Sequence, residues 1–186
     1  MGRKYGSLHV RLENGMDAVK QGYTSTVDAV FPANVAQAAE RLGLNLSQEQ
    51  LPILNRLVQS GLSSRAKPTV VEHLGFVSVF DERMTFENIQ PIAQKLSAIL
   101  GLRVFFSSVY DDDVFFFGLC ENGETVSRHV SGDCETYGMT RENYDVEAME
   151  EYISENEEDT PRLQNLSGQD MEAALIKALG FRLDRK

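Results

Sequence analysis

The sequence predicts an α+β domain on one mixed β-sheet of about five strands, in the order β-α-β-α-β-β-β, with helices mainly on one face. Three observations predict it. The chain opens with an alternating segment, Leu8, Val10 and Leu12 on one side and Ser7, His9 and Arg11 on the other. A helix-spaced apolar stripe, Ile89, Ile92, Leu96, Ile99 and Leu100, separates two strand-like runs. Residues 103–130 then read as three consecutive strands, the last two joined at Asn122-Gly123. With 186 residues, 42% apolar and 25% charged, the composition is that of an ordinary globular chain, so 1–186 is read as a single domain.

Each element has its own justification. The first strand stops at Asn14-Gly15, and residues 16–30 read as a helix weakened by Gly22 and Thr24-Ser25-Thr26. Residues 33–63 read as a helical insert. Val35, Ala38, Ala39 and Leu42 keep helical spacing before Gly43, and Ser47 can cap a second helix carrying Leu51, Leu54, Leu57 and Val58. Residues 61–68 are polar and read as a linker. Phe76–Phe80 is short, apolar and β-branched, hence a strand buried on most of its surface. Thr85 can cap the helix that follows, and Gly101 ends it.

Residues 113–120 are apolar at alternate and intervening positions alike, so Phe115, Phe116 and Phe117 are expected to pack on both faces of a central strand. Asn122-Gly123 suits a type I′ turn, where both central residues need φ > 0. Residues 140–186 read as an acidic helical extension packed on the same core. Val146, Met149, Tyr152 and Ile153 line one side of a helix over 145–158, and Met171, Leu175, Ile176 and Leu179 one side of a last helix opened by Ser167-Gly168-Gln169-Asp170.

Charge narrows the function classes. The net charge is −10, and residues 107–160 hold sixteen acidic groups against two bases, Arg128 and Arg141. Such a field repels nucleic acid and anionic lipid and attracts a basic protein surface. No apolar run is long enough to span a membrane, and the N-terminus lacks the apolar stretch of a signal peptide. Cys120 and Cys134 are too few for a disulfide framework, so they are expected as reduced thiols of a cytoplasmic protein.

Three stretches carry a resemblance: Tyr5–Arg11, Phe76-Val-Ser-Val-Phe-Asp-Glu82, and Val109-Tyr-Asp-Asp-Asp-Val114 leading into the Asn-Gly hairpin. They resemble a loosely defined family of small uncharacterised bacterial proteins with Val-Ser-Val-[Tyr/Phe]-Asp and Val-Tyr-Asp-x-Asp-Val strand motifs. Phe76 stands where that set usually has Trp, and Asp112 where it has Ser. The resemblance covers about half of the chain, chiefly its strands, and implies a shared α+β fold without implying an activity.

Two clusters could carry chemistry. Asp111, Asp112 and Asp113 offer oxygen ligands suited to Ca²⁺ or Mg²⁺, but the spacing is not that of an EF-hand loop, and the preferred reading is a solvated corner between two apolar strands. His129, Asp133 and Cys134 have the composition of a nucleophile triad without a nucleophile signature, and two cysteines with three histidines give no zinc pattern. His129 is expected to face solvent beside Ser127. No cofactor is expected, and phosphate loops, Gly-x-Ser-x-Gly elbows and His-Glu-x-x-His motifs are absent from the sequence. The expectation is a protein-binding module, immunity-protein-like or regulatory. Its acidic face, Asp111, Asp112, Asp113, Glu147, Glu150, Glu151 and Glu155, would meet a basic protein. The alternative is a metal-dependent or hydrolase-like enzyme using Asp111, Asp113 and His129.

Overall fold

The computed structural model describes residues 4–11, 15–30, 47, 68–73, 75–150, 152, 166, 168–179 and 183. Among the described residues six strands form one sheet: β1 (Lys4–Arg11), β2 (Thr69–His73), β3 (Phe76–Phe80), β4 (Val104–Tyr110), β5 (Val114–Glu121) and β6 (Glu124–Gly132). Among the described residues there are four helices, α1 (Gly15–Val30), α2 (Ile89–Leu100), α3 (Val146–Met149) and α4 (Gly168–Leu179). The helical insert read at 33–63 lies outside the described residues, apart from Ser47.

The α+β class and the single sheet stand as expected, but three features of the sheet differ. It has six strands rather than five, in the order β2-β3-β1-β4-β5-β6, and every pairing is antiparallel rather than mixed. Both differences trace to β2, three of whose residues, Thr69-Val70-Val71, are β-branched. β1 and β2 run the same way, as strands joined through a helix do, and β3 turns back between them. A strand left unassigned there reverses every direction that follows.

The third difference is that both faces are covered. On one, Leu8, Val10, Val77, Val79, Val104, Phe106, Phe116 and Cys120 pack with Val19 and Tyr23 of α1 and with Ile89, Ile92 and Leu96 of α2. On the other, Phe105, Val109, Phe115, Phe117 and Leu119 pack with Tyr144, Met149, Tyr152, Met171, Leu175 and Leu179. The alternation of Phe115, Phe116 and Phe117 thus feeds both cores, each ring being at most 3% exposed.

Local chemistry fixes the frame around the candidate site. The Asn122-Gly123 turn has φ of 51° and 89°, as the type I′ geometry requires. Gly123 N–H donates to Ser97 Oγ at 3.0 Å, which pins this turn to α2. α2 starts at Ile89, with Asn88 rather than Thr85 at its N-cap. Asn88 Oδ1 accepts from Thr85 N–H at 2.8 Å, while the Asn88 amide donates to the Arg83 carbonyl. Gly101, at φ 64°, ends the helix as expected. Gly118 has no room for a side chain, because a Cβ there would sit 2.6 Å from the Phe106 ring and 2.6 Å from the Ser127 carbonyl.

Candidate functional site

Asp111-Asp112-Asp113 forms the turn between β4 and β5. Asp111 and Asp112 have φ of 57° and 66°, and Asp113 N–H donates to the Tyr110 carbonyl at 3.1 Å. Aspartate tolerates this left-handed geometry better than most residues, which accounts for its use here. The Asp113 carbonyl accepts from Asp133 N–H at 3.0 Å, and its carboxylate accepts from the Tyr137 hydroxyl at 2.9 Å. The Asp113 carboxylate pushes the Tyr137 pKa up to about 12 and keeps that phenol protonated. The acidic turn and the loop after β6 are therefore one unit.

Beside this unit opens a groove of about 520 Å³, within the size range of ligand sites. Phe86, Tyr110, Phe116, Tyr137 and Met139 form its apolar wall, and Glu87, Gln90, Gln94 and Arg128 its polar one. Tyr110 and Tyr137 meet edge to face, with centroids 5.1 Å apart and planes at 81°. Phe86 lies 4.9 Å from Phe116 and 6.0 Å from Tyr110. The Arg128 guanidinium sits 5.5 Å above the Phe116 ring, and its Nε is 2.7 Å from Glu142 Oε2. Gln90 and Gln94 both donate from their amide nitrogens to Thr125 Oγ1, at 3.0 and 3.1 Å.

Glu147 and Glu150, also expected on the same face, lie elsewhere. Asp145 caps α3, accepting from Ala148 N–H at 3.0 Å, and its own N–H donates to Ser127 Oγ. Ser127 is five residues along β6 from Gly132, about 17 Å at strand spacing. Moreover, α3 docks through Met149 on the opposite face of the sheet from Tyr137. Glu147 and Glu150 are exposed there, and Glu151 and Glu155 lie outside the described residues.

The structure does not bring together the groups of the alternative chemistry. His129 is fully buried rather than solvent-facing, stacked 4.8 Å from Phe117 and edge-on to Tyr144. The reason is that the 142–149 segment folds back over β6, with Glu142 bridging Val130. Burial first, then the nearby charge of Arg141, pushes the His129 pKa down to about 4. Cys134 belongs to the core on the other side of the sheet, where burial raises its thiol pKa. Among the described residues no group of three or more His, Cys, Asp or Glu side chains is arranged to hold a metal ion.

Sequence reading missed a second polar cluster. His9 Nε2 lies 2.9 Å from Ser7 Oγ, His9 Nδ1 is 2.8 Å from Ser78 Oγ, and Ser7 Oγ is 2.9 Å from Ser107 Oγ. All four side chains are at most 4% exposed, so the hydroxyls face protein rather than solvent, and burial pushes the His9 pKa down to about 3. This is a core network, satisfied by its own members. The groove residues also escaped notice, because Phe86, Tyr110 and Tyr137 are far apart in sequence and share no spacing. Comparison with protein-family models, with curated proteins and with solved structures finds no match.

Proposed function

We propose that the protein is a binding module that captures a basic protein partner at the end of the sheet where the Asp111–Asp113 turn meets the aromatic groove. The observation that carries this reading is the coupling of acid turn and groove through the Tyr137–Asp113 hydrogen bond. It places a fixed negative turn beside an open surface lined by large aromatic residues. Aromatic side chains ringed by charge are what protein interfaces use as anchors, and the surrounding acids steer a basic surface to them. The net charge of −10 points to the same kind of partner. An immunity protein or a regulatory subunit of the cytoplasm fits this description.

The test is capture of partners from the source cell's lysate at low and at high salt, with wild-type protein and with Asp111→Lys/Asp112→Lys. The expected outcome is a basic protein retained by the wild type, released by salt and lost in the variant. Equal retention by both proteins, or nothing retained at low salt, would count against the acidic turn as the contact.

A further inference from the structure

We infer that residues 140–149 form an acid-sensitive strap over β6, which lifts when His129 takes a proton and thereby frees Arg128 in the groove. The inference adds a control to the binding site proposed above and rests on that reading only for what the groove receives. Its test needs no partner, so the two can fail separately.

The contrast between the two buried histidines is the first argument. His9 lies between neighbouring strands with a serine hydroxyl at each ring nitrogen, so it meets water only if the sheet itself opens. His129 is equally buried, but among the described residues neither of its nitrogens has a hydrogen-bond partner. Its ring lies on Phe117 of β5, and Tyr144 of the strap covers it edge-on. An imidazolium without a partner is far more costly to bury than the neutral ring. Lifting Tyr144 hydrates it and leaves the pairing of β5 with β6 intact.

Among the described residues the charges around the ring supply no substitute partner. Burial first, then the positive charge of Arg141 on the strap, disfavours the imidazolium. The Glu142 carboxylate is engaged by Arg128, Asp145 caps α3, and Glu147 is exposed. Tyr144 and Tyr152 pack through their rings. On α4, Glu172 accepts from Tyr5, while Asp170 and Lys177 are exposed. β5 presents Phe115, Phe117 and Leu119 to this side.

The strap reaches the groove through Glu142, where it crosses the edge of the sheet. Glu142 N–H donates to the Val130 carbonyl at 3.1 Å, and its carbonyl accepts from Val130 N–H at 2.9 Å. Its carboxylate holds Arg128 Nε at 2.7 Å on the groove side, where the guanidinium lies over Phe116. Beyond that point the strap is fastened by the Asp145 N–H bond to Ser127 Oγ and by the buried Tyr144 and Met149. So few anchors make local opening easier than unfolding. When the strap lifts, Glu142 leaves Arg128, and the groove gains an unpaired positive charge that disfavours a basic partner. Between pH 6.5 and 4 the open population should rise about tenfold per unit, roughly 300-fold in all.

The test is native-state hydrogen exchange by NMR on the full chain at pH 7.5, 6 and 5, corrected for the intrinsic pH dependence of exchange. Phe rings are ¹³C-labelled, and the Arg128 Nε–H resonance is followed in parallel. Protection of the Glu142 and Asp145 amides should fall about tenfold per unit below pH 6.5 and stay below that of the Phe106 amide in the central strand β4. The Phe116 and Arg128 resonances should move over the same range. In His129→Phe, which keeps Glu142, both responses should disappear; their persistence would assign them to the carboxylate and overturn the proposal. Glu142→Gln serves if that variant fails to fold. It should lower strap protection about two- to fivefold already at pH 7.5 and shift Phe116 there without acid, and no change would count against the latch. Strap protection that is flat with pH, or equal to that of Phe106 throughout, would overturn the proposal. So would a strap that opens while Phe116 and Arg128 stay still. None of these outcomes bears on capture by the Asp111–Asp113 turn, which the salt-dependent capture experiment reads by itself.

Discussion

His9 and Ser78 face each other directly across the β1–β3 pair, and the 2.8 Å contact from Nδ1 to Oγ is sealed from water. The imidazole has one proton to give and one lone pair to offer, and Ser78 and Ser7 take the two roles between them. Fully buried, this network contributes to stability only while the ring stays neutral.

A pH dependence follows from that condition. Burial holds the folded-state pKa of His9 near 3 and, aided by Arg141, that of His129 near 4, whereas an unfolded histidine titrates near 6.5. Below pH 6.5 the unfolded chain therefore binds protons that the folded chain refuses. Stability is full above 6.5 and falls on acidification by roughly 1.4 kcal/mol per pH unit for each histidine. Urea unfolding at pH 7.5, 6 and 5 should show the midpoint dropping, and His9→Gln should remove about half of that slope. An unchanged wild-type midpoint over this range would refute the prediction.

Asp81 should dominate a separate region of the pH profile. Burial alone would raise its pKa, but hydrogen bonds from Arg83 and from the Tyr23 hydroxyl outweigh burial and hold the carboxyl below its usual range. Its contribution is present above the ordinary carboxylate pKa and is lost as pH falls through the depressed folded value. Tyr23→Phe should cost about 1 kcal/mol. Asp81→Ala should cost about 2–3, since it leaves the buried Tyr23 phenol unpaired and removes the carboxylate that pairs with Arg83. Denaturation midpoints at neutral pH check the ranking, and equal costs would contradict it.

Gly118 is a steric prediction. Gly118→Ala pushes a methyl group against the Phe106 ring and the Ser127 carbonyl, and should destabilise by about 1–3 kcal/mol. Adding Phe106→Leu should recover part of the loss, because one obstacle is a side chain and the other is backbone. If the double variant is no better than the sum of the two single ones, the ring contact is not the cause.

The thiols offer a direct check on nucleophilic chemistry. Burial pushes the Cys120 pKa up to about 11 and also raises that of Cys134, so neither is a ready thiolate at neutral pH. Alkylation by iodoacetamide at pH 7.5 should be slow for both in the native protein and rapid in denaturant. Fast native modification of Cys134 would reopen the nucleophile reading.

What the sequence made legible was local. The helix stripe through Ile89, Ile92 and Leu96, the Gly101 stop and the Asn122-Gly123 turn all depend on neighbours a few residues away, and all appear in place. Burial of His9 and His129 was hidden for a physical reason. A period-two pattern separates the two faces of a strand but cannot distinguish water from a polar core or a returning chain segment. Ser7, His9, Ser78 and Ser107 look like solvent-facing residues until three strands align them. The groove was hidden for a related reason, since Tyr110 and Tyr137 become neighbours only through the turn that Asp113 holds.

Among the described residues, those lining the groove lie between 86 and 139, whereas β2 is the strand at the opposite margin of the sheet. β3, β1 and β4 stand between β2 and β5. Substitutions in β2 can thus leave the groove unchanged, so long as β2 keeps its register against β3. One margin of the sheet can change while the other keeps the shape of its groove.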